Sequence, residues 1–454
     1  MDNNTPTRSS ALAADPPSPA PHLPSSAPGR DALHNEVHAR PSARIRLPAL
    51  VIYVAVLNDG VTREAECEHL RQLPQQGHLT PEDMADNFLR LRFADHTVKW
   101  ERHSEFSRYS IVQPLPERAL LGASDPELLS ALTLPPEWLS RIPGQTMVAV
   151  KLAMLHGDLT TPDATLAQAR HWLGDHTLVA SVMGNNGHSW ALTDFALRDS
   201  GFERMLVIAP AGTTDTRAGR ISQRLLELET YRLMALRGLP VAKALMPTLT
   251  TTEQELADIT AQIEHGNGSD PELLNHLATL AARVEQATAS HAYRFAATEA
   301  YHGIVGQRIA ELRERAIPGT QTIGEFMNRR LSPAMATVSA TARRLSTLSE
   351  RITRATALLR TRVDIATETQ NQLLLEKLTK GQELQLRLQS TVEGLSIAAI
   401  SYYVVSLLLY LGKAAKATGA PINPEMAAGA AIPLVLWAVW RTTQRIHQKL
   451  HAGH

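Results

Sequence analysis

Two short segments bring histidine and carboxylate side chains together at alternating positions. In LHNEVHARP (33–41) His34, Glu36 and His38 alternate and Arg40 follows; in WERHSEF (100–106) Glu101, His103 and Glu105 do the same. On an extended backbone, side chains two residues apart leave on one face. Such a set offers nitrogen and oxygen ligands to a divalent metal, or an acid and a base for proton transfer. It equally describes a polar strand face bonded to Arg40 or Arg102, or a small-ligand site, with no metal needed. The spacing is not that of helical zinc proteases, where two histidines lie four apart with Glu beside the first. These seven residues are nominated as ligand or metal candidates; catalytic residues and cofactor stay unassigned.

A third constellation lies in GLSIAAISYYVVSLLLYLG (394–412), 19 residues without a charge. Ser396, Ala399, Tyr403, Ser406 and Tyr410 recur at three- and four-residue steps, a small or hydroxyl-bearing stripe opposite Ile397, Val404, Leu408 and Leu411. Hydroxyls in lipid face protein or a water path, so the stripe predicts helix packing or a pore lining. Other chemistry is missing from the sequence. It holds no glycine-rich phosphate loop ending in Lys-Ser/Thr, no GxGxxG after a strand and no GxSxG elbow. Cys67, the single cysteine, excludes an internal disulfide framework and reads as an inert thiol.

The elements that position these residues change along the chain. Seven prolines in residues 1–30, with no apolar run, read as a disordered tail and no secretory signal, so the chain is expected to start in the cytoplasm. Residues 31–212 read as an α/β cytoplasmic domain. Strands are expected at 45–57, 146–155, 177–183 and 203–209 (the last), one long strand or a hairpin at 97–112, and helices at 61–73, 81–91 and 162–173. Gly184-Asn185-Asn186-Gly187 is a tight turn joining 177–183 to 188–197.

Residues 213–393 read as helical. Ser269…Glu272 and Thr322…Glu325 have the spacing of capping boxes, and helices are expected at 217–236, 252–265, 271–316 and from 321 onward. Leu331, Val338, Leu345, Ile352, Leu359, Ala366 and Leu373 recur every seven residues, the seam of a long helix, with Gly381 a weak point. Positions 334–393 would span roughly 90 Å. Residues 320–390 hold 11 basic and 6 acidic side chains, favourable beside anionic lipid; aromatics that would accompany nucleic-acid binding are missing.

The 19-residue run is long enough to cross a bilayer; MAAGAAIPLVLWAVW (426–440), 15 residues, is a shorter second span. Lys and Arg flank both outer ends, which places both termini in the cytoplasm and residues 441–454 as a tail there. The zero net charge and mean hydropathy of −0.15 thus average a water-facing chain with two apolar spans.

LHNEVHARP, WERHSEF and especially RLQSTVEGLSIAAISYYVVSLL (387–408) resemble the bacterial family of predicted membrane-anchored proteins known as the domain of unknown function numbered 3422. The resemblance implies a cytoplasmic α/β region, a helical region and a C-terminal membrane hairpin, with no activity to carry over. The plan is also similar to that of CorA-type magnesium channels, but Leu411-Gly412-Lys413 stands where those carry Gly-Met-Asn.

The expected fold is therefore α+β: a mixed sheet with helices, a long-helix region, and a C-terminal two-helix transmembrane hairpin at 394–440. The leading functional expectation is a non-enzymatic homo-oligomer of the bacterial inner membrane, with the bilayer as partner, a cytoplasmic ligand-binding or sensing domain, and ion or solute permeation as an extension. A membrane-tethered metal enzyme and a scaffold for protein partners are the alternatives.

Overall fold

The computed structural model describes residues 26–30, 43–174, 176–417, 419 and 423–451. Most of the proline-rich tail, and with it His34, Glu36, His38 and Arg40, lies outside the described residues. The described chain divides into two compact units: Met1–Glu255 with Ala281–Glu350, and Leu256–Leu280 with Arg351–His454.

The first unit holds a sheet of β1 (Ala49–Leu57), β2 (Phe88–Arg92), β3 (Thr97–Arg102), β4 (Phe106–Pro114), β5 (Gln145–His156), β6 (Val179–Met183), β7 (Ser189–Thr193), β8 (Glu203–Ala209) and β9 (Arg315–Ala316). The strand order is β2-β3-β4-β1-β5-β8-β7-β6-β9. Among the described strand pairs only β5 and β8 run parallel, so the sheet is mixed, as the sequence implied.

Strand β1 (ALVIYVAVL) is apolar at every position because both of its faces are covered. Leu50, Ile52, Val54 and Val56 join Trp100, Tyr109, Trp138 and Trp172 in a core shared with α1 (Arg63–Arg71), α2 (Pro136–Ser140) and α3 (Pro162–Leu173). On the opposite face Tyr53 reaches α4 (Asp215–Leu236), where its hydroxyl is 2.7 Å from Thr230 Oγ1. Cross-strand register pairs Glu101 with Arg108 and Tyr53 with Ser110, which gathers the charges of β3 and β4 on the α4 side.

Helices α5 (Gly238–His265), α6 (Asp270–Leu312), α7 (Ile323–Arg330), α8 (Ser332–Ala417) and α9 (Pro424–His451) follow. Thr322 and Glu325 form the expected capping box. The 86-residue α8 runs unbroken through Gly381. Its seven-residue seam is buried at Leu331, Val338, Leu345, Ile352 and Leu359 and ends there, since Leu373 is 54 % exposed.

Three expectations are corrected. Residues 81–91 are a short 3₁₀ turn (Pro81–Met84) followed by β2, because Leu89 and Leu91 alternate against β3 and pack on the core. Glu203–Ala209 is not the last strand; β9 adds two residues to the edge beside β6. Helix α5 begins at Gly238, not 252, and accommodates Pro247 in its interior.

The chain enters β1 across α4. The Ile45 N–H donates to the Asp215 carbonyl at 3.0 Å, and a Cβ at Gly219 would stand 1.6 Å from the Ala43 carbonyl oxygen. Alanine in a helix interior normally gains about 0.5–1 kcal/mol over glycine, but overpacking costs about 1–3 kcal/mol, and the close approach decides the sign. Gly219→Ala is therefore expected to lower the melting temperature; a rise would contradict this packing.

Candidate functional site

The nominated residues of WERHSEF do not share a face. Strand β3 ends at Arg102, residues 103–105 make the turn, and β4 starts at Phe106, so alternation stops after Glu101. Glu101 is fully buried and bidentate with Arg108 (Nε–Oε2 2.6 Å, Nη2–Oε1 2.9 Å), with Lys99 Nζ at 2.8 Å. Burial works against its charge, yet Arg108 and Lys99 outweigh it and hold the carboxyl at about 2. Burial opposes the charge of Arg108 too, and Glu101 more than compensates, raising it well above the ordinary guanidinium range.

From Arg108 the ion pairs continue outward. Arg108 lies 3.4 Å from Glu227 of α4; Glu227 accepts from Gln223 at 2.8 Å and from Arg308 of α6 at 2.7 Å. Arg308 donates to Glu311 at 2.9 Å, and Glu311 lies 3.3 Å from Arg224. At the hairpin tip Glu105 accepts from Arg294, from Arg237 (3.3 Å) and from Tyr301 Oη (2.9 Å). His103 stacks on Phe106 with centroids 4.5 Å apart. Glu101 and Glu105 are thus each neutralised by arginines instead of converging with His103. Among the described residues no group of three or more His, Cys, Asp or Glu side chains is placed to hold a metal ion.

A cavity of about 490 Å³ opens beside the Gly184–Gly187 turn, which joins β6 to β7 as the sequence implied. Arg217, Arg220 and Arg224 from one face of α4 line it, with Arg313 from just beyond α6. His188 and Ser189 also line it, and Glu311 is the single acid in the lining. Burial, and next Arg217, lower the His188 imidazole below its ordinary range. The 3-, 4-residue spacing of the three α4 arginines was visible in the sequence; the approach of Arg313, some ninety residues later, was not.

In the second unit two helices carry stretches long and apolar enough to cross a membrane, and only 6 % and 11 % of those stretches is buried. The covered positions of α8 include Ile397, Ser401 and Val405, and those of α9 include Pro424, Ala428 and Ala431. A Cβ on Gly412 would meet Pro424 Cβ at 3.3 Å. Tyr403 (70 % exposed), Tyr410 (69 %) and Ser396 lie on the outside, with Ser406 half-covered. The covered row of this stretch is therefore Ile397, Ser401 and Val405, and of the hydroxyl stripe only Ser406 is partly covered.

A family model described as a protein of unknown function (DUF3422) matches residues 25–450. The chain belongs to the DUF3422 family. No curated protein and no solved structure matches it.

One further buried charge group sets a pH dependence. Glu203 of β8 stands beside Glu229 of α4, which is bonded to Arg232 (Nε–Oε2 2.8 Å), with Arg232 3.5 Å from Glu203. Burial, then the Glu229 carboxylate, push Glu203 from 4.5 to about 9. The folded DUF3422 chain so keeps a proton that the unfolded chain loses, and this stabilisation fades as pH climbs from 4.5 to about 9. Glu203→Gln is expected to flatten the fall in melting temperature across that window. An unchanged slope would show that Glu203 is already ionised in the fold.

Proposed function

We propose that this DUF3422 protein is a binding protein tethered to the bacterial inner membrane, with its sheet-bearing unit in the cytoplasm. The observation that carries it is the nearly bare state of Gly394–Gly412, an uncharged continuation of the 86-residue α8. In water such a surface would have to be covered by protein, whereas a bilayer solvates it and a helix satisfies its own backbone groups there. Helix α9 returns through the membrane, so both termini lie on the cytoplasmic side, in keeping with the Lys and Arg residues flanking the hairpin. The stripe Ser396, Tyr403, Ser406 and Tyr410, exposed except at half-covered Ser406, supports association of copies in the membrane, because hydroxyls in lipid gain from protein partners. The arginine-lined cavity supports ligand binding as the role of the cytoplasmic unit. The neutralised state of Glu101 and Glu105 weighs against the metal-enzyme alternative.

Cys67 is buried and is the single cysteine, so a Cys67→Ala background suits topology mapping. Single cysteines at Ser390, Ala420 and Ala452 would be labelled with a membrane-impermeant maleimide. The expected result is that only the Ala420→Cys site labels from the outer side, while the other two label after vesicle inversion. Extraction of the chain by alkaline carbonate, or labelling of all three sites from one side, would overturn the hairpin.

A further inference from the structure

We propose that the cavity beside the Gly184–Gly187 turn binds a phosphorylated small molecule with at least two negative charges. The inference rests on the reading that the sheet-bearing unit binds a ligand, and not on the membrane topology.

Four arginines (217, 220, 224 and 313) face the cavity against one acid, Glu311, whose carboxylate is already shared by Arg224 and Arg308. Arg217, Arg220 and Arg313 form no hydrogen bond or ion pair through their guanidinium groups with another described residue. Like charges three and four residues apart on a helix repel, so this face of α4 is held at a cost that a bound anion would remove. Guanidinium groups match phosphate oxygens bidentately, which a carboxylate-poor, arginine-rich wall is suited to do.

A second, independent observation is the state of Ser189 and His188. Ser189 is 1 % exposed, and its Oγ has no hydrogen-bond partner; His188 Nδ1 is likewise buried without one. Buried polar atoms are nearly always paired, and both of these unpaired ones belong to residues that line the cavity. A hydroxyl and an imidazole N–H are both donors to a phosphate oxygen.

The backbone at Arg313 adds a third. Its φ is +49°, in the left-handed region where a helix end ordinarily places glycine or asparagine. Glycine would suit that backbone better, yet an arginine occupies it, and this residue lines the cavity. The volume, about 490 Å³, accommodates a ligand the size of a sugar phosphate or a nucleotide.

Phosphate chemistry is common to soluble esters and to phospholipid headgroups, so the test has two arms. The full-length protein in neutral detergent is titrated calorimetrically with inorganic pyrophosphate, and separately with mixed micelles of phosphatidic acid against phosphatidylcholine micelles. The expected result is saturable pyrophosphate binding that weakens at least tenfold in Arg220→Met and in Arg313→Gly and several-fold in Ser189→Ala. Arg313→Gly should leave the melting temperature unchanged or higher, because glycine relieves the left-handed backbone, which separates lost binding from lost folding. Binding of phosphatidic acid micelles alone, abolished by the same variants, would support the site with a headgroup as its source. Absence of binding in both arms, or binding indifferent to these variants, would overturn it. Carbonate extraction of the chain would sink the membrane reading and leave this result standing.

Discussion

The buried carboxylate of Glu101 is the charge around which the α4 side of the sheet is arranged. It is fully desolvated, and such an ion survives only if its partners are close and well aimed. Arg108 opposite it on β4 supplies the bidentate pair, and Lys99 on the same strand supplies a second cation. Two cations around one carboxylate leave a positive surplus, which Glu227 of α4 takes up from the other side. Glu227 then draws in Arg308 of α6, and Arg308 draws in Glu311. Each step leaves a charge that the next element must answer. The result ties strand, helix and helix together with direction and register, which apolar packing alone would leave less specified.

The far end of that series is Arg224, in the wall of the arginine-lined cavity. Glu311 is therefore occupied from behind by Arg308 and Arg224, and its charge is little available to Arg217, Arg220 and Arg313. The same pairing logic that satisfies the interior leaves the cavity positive. In the second unit the logic is reversed: Gly394–Gly412 carries no charge at all, and its apolar stretch is left almost uncovered by protein.

What the sequence disclosed was local. The unbroken apolar run of β1, the Gly184–Gly187 turn and the Thr322…Glu325 cap each depend on neighbours within a few residues, and each is present. The misreadings involve distant partners. Leu89 and Leu91 fit a helical or an alternating pattern equally, and pairing with β3 decided between them. Glu101, His103 and Glu105 look like one polar face until the strand is seen to end at Arg102. The groups that satisfy Glu105 arrive from Arg237, Arg294 and Tyr301, more than 130 residues later. The hydroxyl stripe of α8 was legible as a stripe, but not that the covered positions would be Ile397, Ser401 and Val405 instead.

If the ion-pair series fastens the helices to the sheet, its links must be energetically coupled and not merely adjacent. The most direct measurement is a double-mutant cycle at the junction of α4 and α6: Glu227→Gln, Arg308→Met and the pair, compared by denaturant unfolding in detergent. The account predicts a coupling energy of about 1–3 kcal/mol, with the double variant less destabilised than the sum of the single ones. Strict additivity of the two substitutions would contradict it.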